Sequence, residues 1–371
     1  MASPPRHLLH VFSTFGMGGP QVRTCELINH FGSRYRHTLI AMDGNYACRE
    51  RLKEGLNIRW IPLRIHKKEE LKNLFLFRRL LQEIQPDLLL TYNWGAIEWS
   101  LVNHFFPICP QAHTEDGFGP DELITQKPWR IWIRRFFLSH AYKIIVPSKT
   151  LYRVALQTWR LSEKSVVYIP NGIDCEKYSK QVLSRKGSEW EFCRNSLVIG
   201  TVARLRKEKN LLRLLRVFSR LAPEFQAKLL IVGDGPEYPH LVRYIEENKL
   251  QEKVRLLGHR EDPAEVLSLF DIFAISSDTE QMPISVLEAM AAGCPVVGTD
   301  VGDIKDMVSP ENRAYIGPRS DEDFFRRMLE KLLKEAPLRA YLGEQNRIHC
   351  RRFFEKKWMF EAYEKVYEMK L

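Results

Sequence analysis

The most chemically loaded stretch of the chain is SSDTEQMPISVLEAMAAGCPVVGTDVGD, residues 276–303, where Glu280 and Glu288 stand with seven residues between them. Glu280 closes a loop after a predicted strand, Pro283 takes the first position of a predicted helix, and Glu288 falls about one and a half turns into it. Free N–H groups at such a helix start attract an anion, and carboxylates on either side accept hydrogen bonds from hydroxyls. That pattern suits a polyol phosphate. A helix-surface charge at Glu288 and a capping residue at Glu280 are the plain alternatives.

A second concentration of charge is ARLRKEKN, residues 203–210, in which Arg204 and Lys209 lie between a strand end and a helix start. Two cations and a helix N-terminus converge there, as a diphosphate requires, unless the segment is a solvated basic loop. Near the start of the chain, FSTFGMGGPQVRTCELI reads as strand, glycine loop and helix, the helix beginning near Pro20 and Gln21. Gly18 and Gly19 either let the backbone approach a ligand or make a tight turn. The loop is not the GxGxxG dinucleotide pattern. In QAHTEDGFGPDE, residues 111–122, His113 stands at a strand end beside Glu115 and Asp116. The histidine is a candidate for the reacting centre or a structural hydrogen-bonding residue. The two acids suit an acceptor's hydroxyls or the start of the next turn. No His, Asp or Cys cluster has metal-ligand spacing, so no metal and no cofactor is expected.

Together these segments resemble the retaining glycosyltransferases of family 4, which have the GT-B fold. The Glu, seven residues, Glu stretch carries most of the likeness. IPNGID at 169–174 resembles the family's hinge-proximal motif, ARLRKEKN its donor-phosphate loop and VGDGP at 232–236 a loop flanking the donor. With GMGG, the matches run in order from residue 16 to residue 302. The resemblance implies roles. Arg204 and Lys209 would act on the diphosphate of a nucleotide sugar, stabilising charge on the leaving nucleotide. Glu288 would bind the ribose hydroxyls and Glu280 the transferred sugar, with Gly18, Gly19, Gln281, Met282 and Pro283 also around the donor. His113 would face the reacting sugar, completing a catalytic set with Glu280, Arg204 and Lys209, and Glu115 and Asp116 would serve the acceptor. Two positions depart from the family: Gln281 stands where a glycine usually follows the first glutamate, and Gly302-Asp303 replaces a Gly-Gly pair. Glutamine restricts conformations that glycine permits, which bears on the fit of the donor sugar rather than on the fold.

Such groups need parallel sheets with loops at the strand ends. Short Val-, Ile- and Leu-rich runs alternate with helical patterns along the chain, the mark of doubly wound α/β domains. HLLHVFS, HTLIAM, IRWIPL, DLLLTY, CPQAHT, KIIVPS and SVVYIP make a first sheet of seven predicted strands. SLVIGTVAR, AKLLIVGDG, VRLLGH, IFAISS, PVVGT and AYIG make a second. Residues 175–195 are polar without clear periodicity and read as a linker. Residues 1–175 are thus predicted to be an acceptor-binding domain and 176–352 a nucleotide-sugar-binding domain, both Rossmann-like and facing each other across a cleft. Residues 353–371 read as an amphipathic helix packing back toward the N-terminal domain, with Trp358, Tyr363 and Tyr367 on one stripe.

The 371 residues, 44% of them hydrophobic, are enough for two cores. They carry 56 Lys and Arg against 46 Asp and Glu, a net +10 that favours polyanionic partners without choosing among nucleic acid, anionic lipid and phosphorylated ligands. No apolar run approaches the roughly 18 residues of a membrane span. Seven cysteines without CxxC pairs suit a reducing compartment, so the chain is read as cytoplasmic. KPWRIWIRRFFLSHAYK, residues 127–143, sets Trp129, Trp132, Ile133, Phe136, Phe137 and His140 at helical spacing, with Lys127, Arg130, Arg134 and Arg135 around them. This is either an interfacial helix on anionic lipid, at the inner face of the cytoplasmic membrane, or a core-facing helix with a solvated basic edge. KKEELKNLFLFRRLLQ, residues 67–82, raises the same question.

The expectation is a metal-independent, retaining hexosyltransferase that carries sugar from a UDP- or GDP-sugar to a glycan or lipid-linked acceptor. It would form an alpha linkage in cell-surface polysaccharide or lipopolysaccharide assembly. The rivals are an epimerase or phosphorylase on the same fold, separated by the need for a distinct sugar acceptor, and a basic nucleic-acid-binding protein. The last has no recognisable RNA- or DNA-binding motif to support it.

Overall fold

The structure is a computed structural model that describes residues 4–63, 65, 69–118, 122, 125–179, 188–261 and 263–368. The chain divides into two units: residues 1–170 together with 359–371, and residues 171–358.

In the first unit, β1 (Arg6–Phe12), β2 (Tyr35–Ala41), β3 (Ile58–Pro62), β4 (Leu88–Tyr92), β5 (Gln111–Thr114), β6 (Lys143–Val146) and β7 (Val166–Tyr168) form one parallel sheet in the order β3-β2-β1-β4-β5-β6-β7. In the second, β8 (Leu197–Val202), β9 (Ala227–Val232), β10 (Val254–Leu256), β11 (Ile272–Ile275), β12 (Val296–Thr299) and β13 (Ile316–Gly317) run in the order β10-β9-β8-β11-β12-β13, also parallel. Each predicted strand is formed, because parallel strands covered on both faces read as continuous apolar runs. Leu8 and Leu9 of β1 point to opposite faces, and both are fully buried. Each sheet reverses its strand order once, between β1 and β4 and between β8 and β11. In open α/β sheets the crevice outside the carboxyl ends of the strands at that reversal is where ligands sit. The loops after β1 and β4, and those after β8 and β11, are therefore the ones to inspect.

Residues 175–195 are not a linker. Cys175–Ser179 is helical, Ser188–Cys193 forms a tight 3-10 turn, and Cys175, Tyr178, Trp190 and Cys193 are buried in the core of the second unit. Four apolar side chains at irregular spacing gave no periodic signal within a polar segment; residues 180–187 lie outside the described ones.

The predicted stripe of the last helix, Lys356–Glu368, also needs correction. Met359, Phe360, Tyr363, Val366 and Tyr367 are buried, whereas Trp358 is 44% exposed. A residue next to Met359 is rotated about 100° around the helix, which takes Trp358 off the buried face. From Met359 onward this helix belongs to the first unit, where its stripe meets Phe12, Phe31, Tyr35 and Tyr92 in one core.

Candidate active site

In the second unit, β8 and β11 are neighbours, with Phe273 beside Gly200, so the loops leaving them are held side by side. They are also laced together. The Asp278 N–H donates to the Glu208 carbonyl (2.8 Å), and the Ser276 hydroxyl donates to the Lys209 carbonyl (3.1 Å). Arg213 donates to the Ser276 carbonyl (2.7 Å) and to the Asp278 carboxylate (2.8 Å), and the Asn210 amide donates to the other Asp278 oxygen (3.0 Å). This lacing brings Lys209 Nζ to 2.6 Å from Glu280 Oε1, an oxygen that also accepts from the Ser277 hydroxyl at 2.7 Å. Arg204 is exposed and has no carboxylate partner among the described residues. Of the two candidate cations, Lys209 is compensated by Glu280 and Arg204 is available to an anion.

VGDGP is the brace under that loop. Gly233 and Gly235 adopt φ of +133° and +156°, and a Cβ on them would meet the Ala203 carbonyl oxygen at 1.9 Å and the Leu205 oxygen at 2.4 Å. Only glycine lets the two backbones approach this closely, and Leu205 N–H to Asp234 carbonyl (2.9 Å) fixes the register.

The helix Ile284–Ala291 begins one residue later than predicted. Pro283 is its cap, in an extended conformation (φ −68°, ψ 121°), because a proline's φ fits either position and its ψ decides. No side chain caps the helix, leaving its first N–H groups to an outside acceptor. Met282 is buried and held by Asn171, whose amide donates to the Met282 carbonyl (3.1 Å). Glu288 Oε1 accepts from the Tyr178 hydroxyl at 2.7 Å. Gly302, at φ +58°, lets its loop pass so close that a Cβ would meet the Glu280 carbonyl oxygen at 2.3 Å. The Asp303 N–H donates to the Gln281 carbonyl (2.9 Å). Asp303 sits at φ −101° and Gln281 does not adopt positive φ, so neither departure from the family pattern strains the backbone.

In the first unit, Gly18 caps the helix Gly19–Phe31 with extended backbone and no side-chain partner. His113 lies on β5, fully buried, with Nδ1 2.9 Å from Thr91 Oγ1. The Gln111 amide donates to the same Thr91 oxygen (3.0 Å), so Thr91 joins His113 and Gln111 in one buried hydrogen-bonded group. The His113 Nε2 has no hydrogen-bond partner among the described residues and lies 3.8 Å from Glu115 Oε2. Glu115, also fully buried, accepts from Arg134 Nε at 3.2 Å, and its Oε1 is unpartnered among the described residues. Asp116 gives both oxygens to Arg23, at 2.6 and 2.9 Å.

The helix Pro128–Leu138 lacks the solvated basic edge that its core-facing reading required. Arg134 is fully buried, paired with Glu115 and Glu122 and ringed by Trp94, Phe118 and Trp159. Arg130 also pairs with Glu122 (3.0 Å), and Arg135 donates to the carbonyls of Trp159 and Thr158. Burial alone would raise the Glu122 carboxyl, but Arg134 and Arg130 hold it below the usual carboxylate range. Trp129 and Trp132 face outward. Two buried carboxylates call the arginines inward, and the aromatic side is left outside.

Thr91, Arg23, Asn171, Ser277 and Tyr178 escaped the sequence reading, and Arg134 was read only as a cation of its helix, not as the partner of Glu115 and Glu122. Ser277, three residues before Glu280, was within reach of a local argument. Tyr178 lies 110 residues from Glu288 and carried no signal.

The sequence pattern of the family described as Glycosyl transferases group 1 matches residues 188–349, and that of Glycosyltransferase Family 4 matches residues 17–177. N-acetyl-alpha-D-glucosaminyl L-malate synthase of Bacillus anthracis is 28% identical over 204 residues, 55% of this chain and 54% of that protein. The matched stretch thus spans about half the length of that relative. UDP-Gal:alpha-D-GlcNAc-diphosphoundecaprenol alpha-1,3-galactosyltransferase of Escherichia coli is 25% identical over 284 residues, 73% of this chain and 72% of that one. Among solved structures, Anabaena HepE in complex with UDP and glucose superposes with a TM-score of 0.83 at 17% identity, over 98% of this chain and 99% of that one. At that identity the likeness is one of fold.

Proposed function

Because the chain belongs to the group 1 glycosyltransferases of family 4 and has their GT-B fold of two Rossmann-like units, we propose that it moves a hexosyl group from a UDP- or GDP-sugar to a glycan or lipid-linked acceptor, with retention and an alpha linkage. The acceptor hydroxyl attacks the anomeric carbon from the face the nucleotide leaves. The anomeric C–O bond breaks with its electron pair going to the diphosphate, and the acceptor proton passes to a departing phosphate oxygen. Arg204 and Lys209 stabilise the charge that grows on that diphosphate, with the N–H groups of the helix Ile284–Ala291. Glu280 and the Gln281, Met282 and Pro283 backbone hold the sugar, and Glu288, oriented by Tyr178, holds the ribose. In the first unit, Gly18 and Gly19 offer backbone N–H, His113 serves the reacting sugar through its Nε2, and the spare oxygen of Glu115 serves the acceptor. Asp116, with both oxygens on Arg23, contributes by anchoring its loop.

One observation supports this reading above the others. At the strand-order reversal of the second sheet, an uncompensated Arg204 and the Lys209–Glu280 pair stand at neighbouring strand ends. The Escherichia coli relative is named for a diphosphoundecaprenol acceptor, which supports a lipid-linked acceptor and a place at the cytoplasmic face of the membrane. The test is a thermal-shift screen with UDP, GDP and their sugars, followed by a transfer assay with and without acceptor, in EDTA and in magnesium. Stabilisation by a nucleotide sugar and acceptor-dependent transfer in EDTA are expected. Magnesium-dependent transfer would remove the metal-free mechanism, and conversion of the donor without acceptor would remove the transferase.

A further inference from the structure

The strand-end loops of the two units differ in charge. In the second unit the loop after β8, residues 203–209, carries Arg204, Arg206, Lys207 and Lys209. In the first unit the segments that leave β1, β4 and β5, residues 13–18, 93–96 and 115–118, carry no Lys or Arg and two acids, Glu115 and Asp116. Two arginines reach those acids from helices, and both are engaged on them. Arg23 gives two hydrogen bonds to Asp116, and Arg134 is shared between Glu115 and Glu122. Arg130 is held on Glu122 as well (3.0 Å). The first lysine beyond those segments, Lys149, stands one strand farther from the reversal, exposed at the start of the helix Lys149–Gln157. The buried end of this site thus presents an uncovered acceptor atom rather than a cation. Glu115 has no exposed surface, and its Oε1 has no hydrogen-bond partner among the described residues. Such an oxygen is costly to bury until a donor reaches it.

We infer that the acceptor presents a neutral sugar to this site, with a hydroxyl donating to Glu115 Oε1, and that any phosphate or carboxylate of the acceptor lies at least one sugar ring from the reacting hydroxyl. A hydroxyl donates to a carboxylate oxygen, and an ionised carboxylate has no proton to give. An anion here would face Glu115 while Arg23, Arg130 and Arg134 are already engaged on acids, a like-charge juxtaposition that rejects the wrong partner. The acceptor oxygen forms the new bond to the anomeric carbon and its proton leaves on the diphosphate, so no charge of the acceptor takes part. The inference also gives the reaction a place in a sequence. An earlier transfer of a sugar, or of a sugar phosphate, must supply an acceptor that already carries a sugar. A bare lipid phosphate or a small hydroxy acid would need a cation that these three segments lack. This deepens the proposed function and rests on its transferase reading.

The experiment is an acceptor panel with the full chain: octyl glycosides of glucose, galactose, mannose and N-acetylglucosamine, then octyl glucuronide, octyl phosphate and L-malate. UDP-glucose, UDP-N-acetylglucosamine and GDP-mannose are the donors, and release of UDP or GDP above the rate without acceptor is the readout. At least one neutral glycoside is expected to serve, with kcat/KM about tenfold or more above each anionic member. Glu115→Gln keeps the shape of the side chain and still accepts from Arg134. It is expected to lower kcat/KM for the neutral glycoside and to narrow its ratio to the glucuronide, with stabilisation by UDP or GDP unchanged. Transfer to an anionic member as efficient as to the neutral ones overturns the inference. So does nucleotide stabilisation without transfer to any neutral glycoside, or an unaltered ratio in a folded Glu115→Gln protein. The wild-type panel decides by itself if that variant does not fold. Absence of stabilisation by any nucleotide or nucleotide sugar removes the transferase reading instead.

Discussion

Lys209 and Glu280 are a coupled pair, and that coupling shapes what substitutions at the donor loop do. Arg204→Ala removes a cation that has no internal carboxylate to satisfy, so it is expected to cost about 10²- to 10³-fold in kcat while leaving thermal stability unchanged. Lys209→Ala removes a cation and also frees Glu280, which keeps only the Ser277 hydroxyl. The double variant Lys209→Ala/Glu280→Ala is therefore expected to lose less than the sum of the two single losses, read as a double-mutant cycle on kcat/KM. Strict additivity would separate the two residues mechanistically. The second prediction divides the carboxylates by ligand end. Glu288→Ala, and more weakly Tyr178→Phe, should reduce affinity for the free nucleotide and the full donor alike. Glu280→Ala should reduce only the part that depends on the sugar. Calorimetry with nucleotide and with nucleotide sugar distinguishes these, and equal losses throughout would contradict the assignment. Both glutamates were legible in the sequence because a strand end, a proline and a helical run frame them. Their partners were not, since Lys209 and Tyr178 reach them only through the folding of distant segments.

At the scale of elements, the strands were readable for a simple reason: a parallel strand covered on both faces must be apolar at nearly every position, whatever its neighbours. The orientation of the helix Pro128–Leu138 was not readable, because it depends on Glu115 and Glu122, which lie outside the helix and are buried only in the folded unit. An arginine next to tryptophans on a helical wheel looks like a surface residue until a buried carboxylate claims it. Arg134 has no exposed surface and compensates two carboxylates that have almost none. Arg134→Met keeps much of the side-chain volume but strands Glu115 and leaves Glu122 to Arg130 and the Lys127 N–H, and is expected to destabilise the first unit by about 3–5 kcal/mol. Adding Glu115→Gln and Glu122→Gln should recover a large part of that loss. Urea unfolding followed by tryptophan emission checks both, and a neutral Arg134→Met would show that the buried network is not what fixes the helix.

Taken whole, the chain distributes its histidines unequally between the two units, and this gives the molecule a pH dependence that belongs to one of them. His10 of β1 is fully buried, with Nδ1 2.9 Å from the Tyr92 hydroxyl and Nε2 3.0 Å from His37 Nδ1 on β2. Burial, with the neighbouring His7, lowers His37 to about 4, and burial with His37 beside it holds His10 well below the usual range. Of the histidines of the second unit, His240 and His259 are exposed and His349 is half-buried. A histidine kept neutral in the fold takes up its proton only on unfolding, so between about pH 6.5 and 4 the unfolded chain binds more protons at His37 than the folded one. The stability of the first unit is therefore complete above pH 6.5 and falls as pH drops toward 4, by about 1.4 kcal/mol per pH unit for His37. His10 acts in the same direction. Over the same range the second unit has no buried histidine among its described residues to protonate. Hydrogen exchange measured peptide by peptide, corrected for intrinsic rates, should show protection of β1 and β2 falling between pH 7 and pH 5 while that of β8 and β9 holds. His37→Phe should flatten part of the slope, since it removes one of the buried titrating rings and leaves an apolar side chain in a buried site. Parallel loss of protection in both units would place the acid sensitivity elsewhere than in the His10–His37 pair.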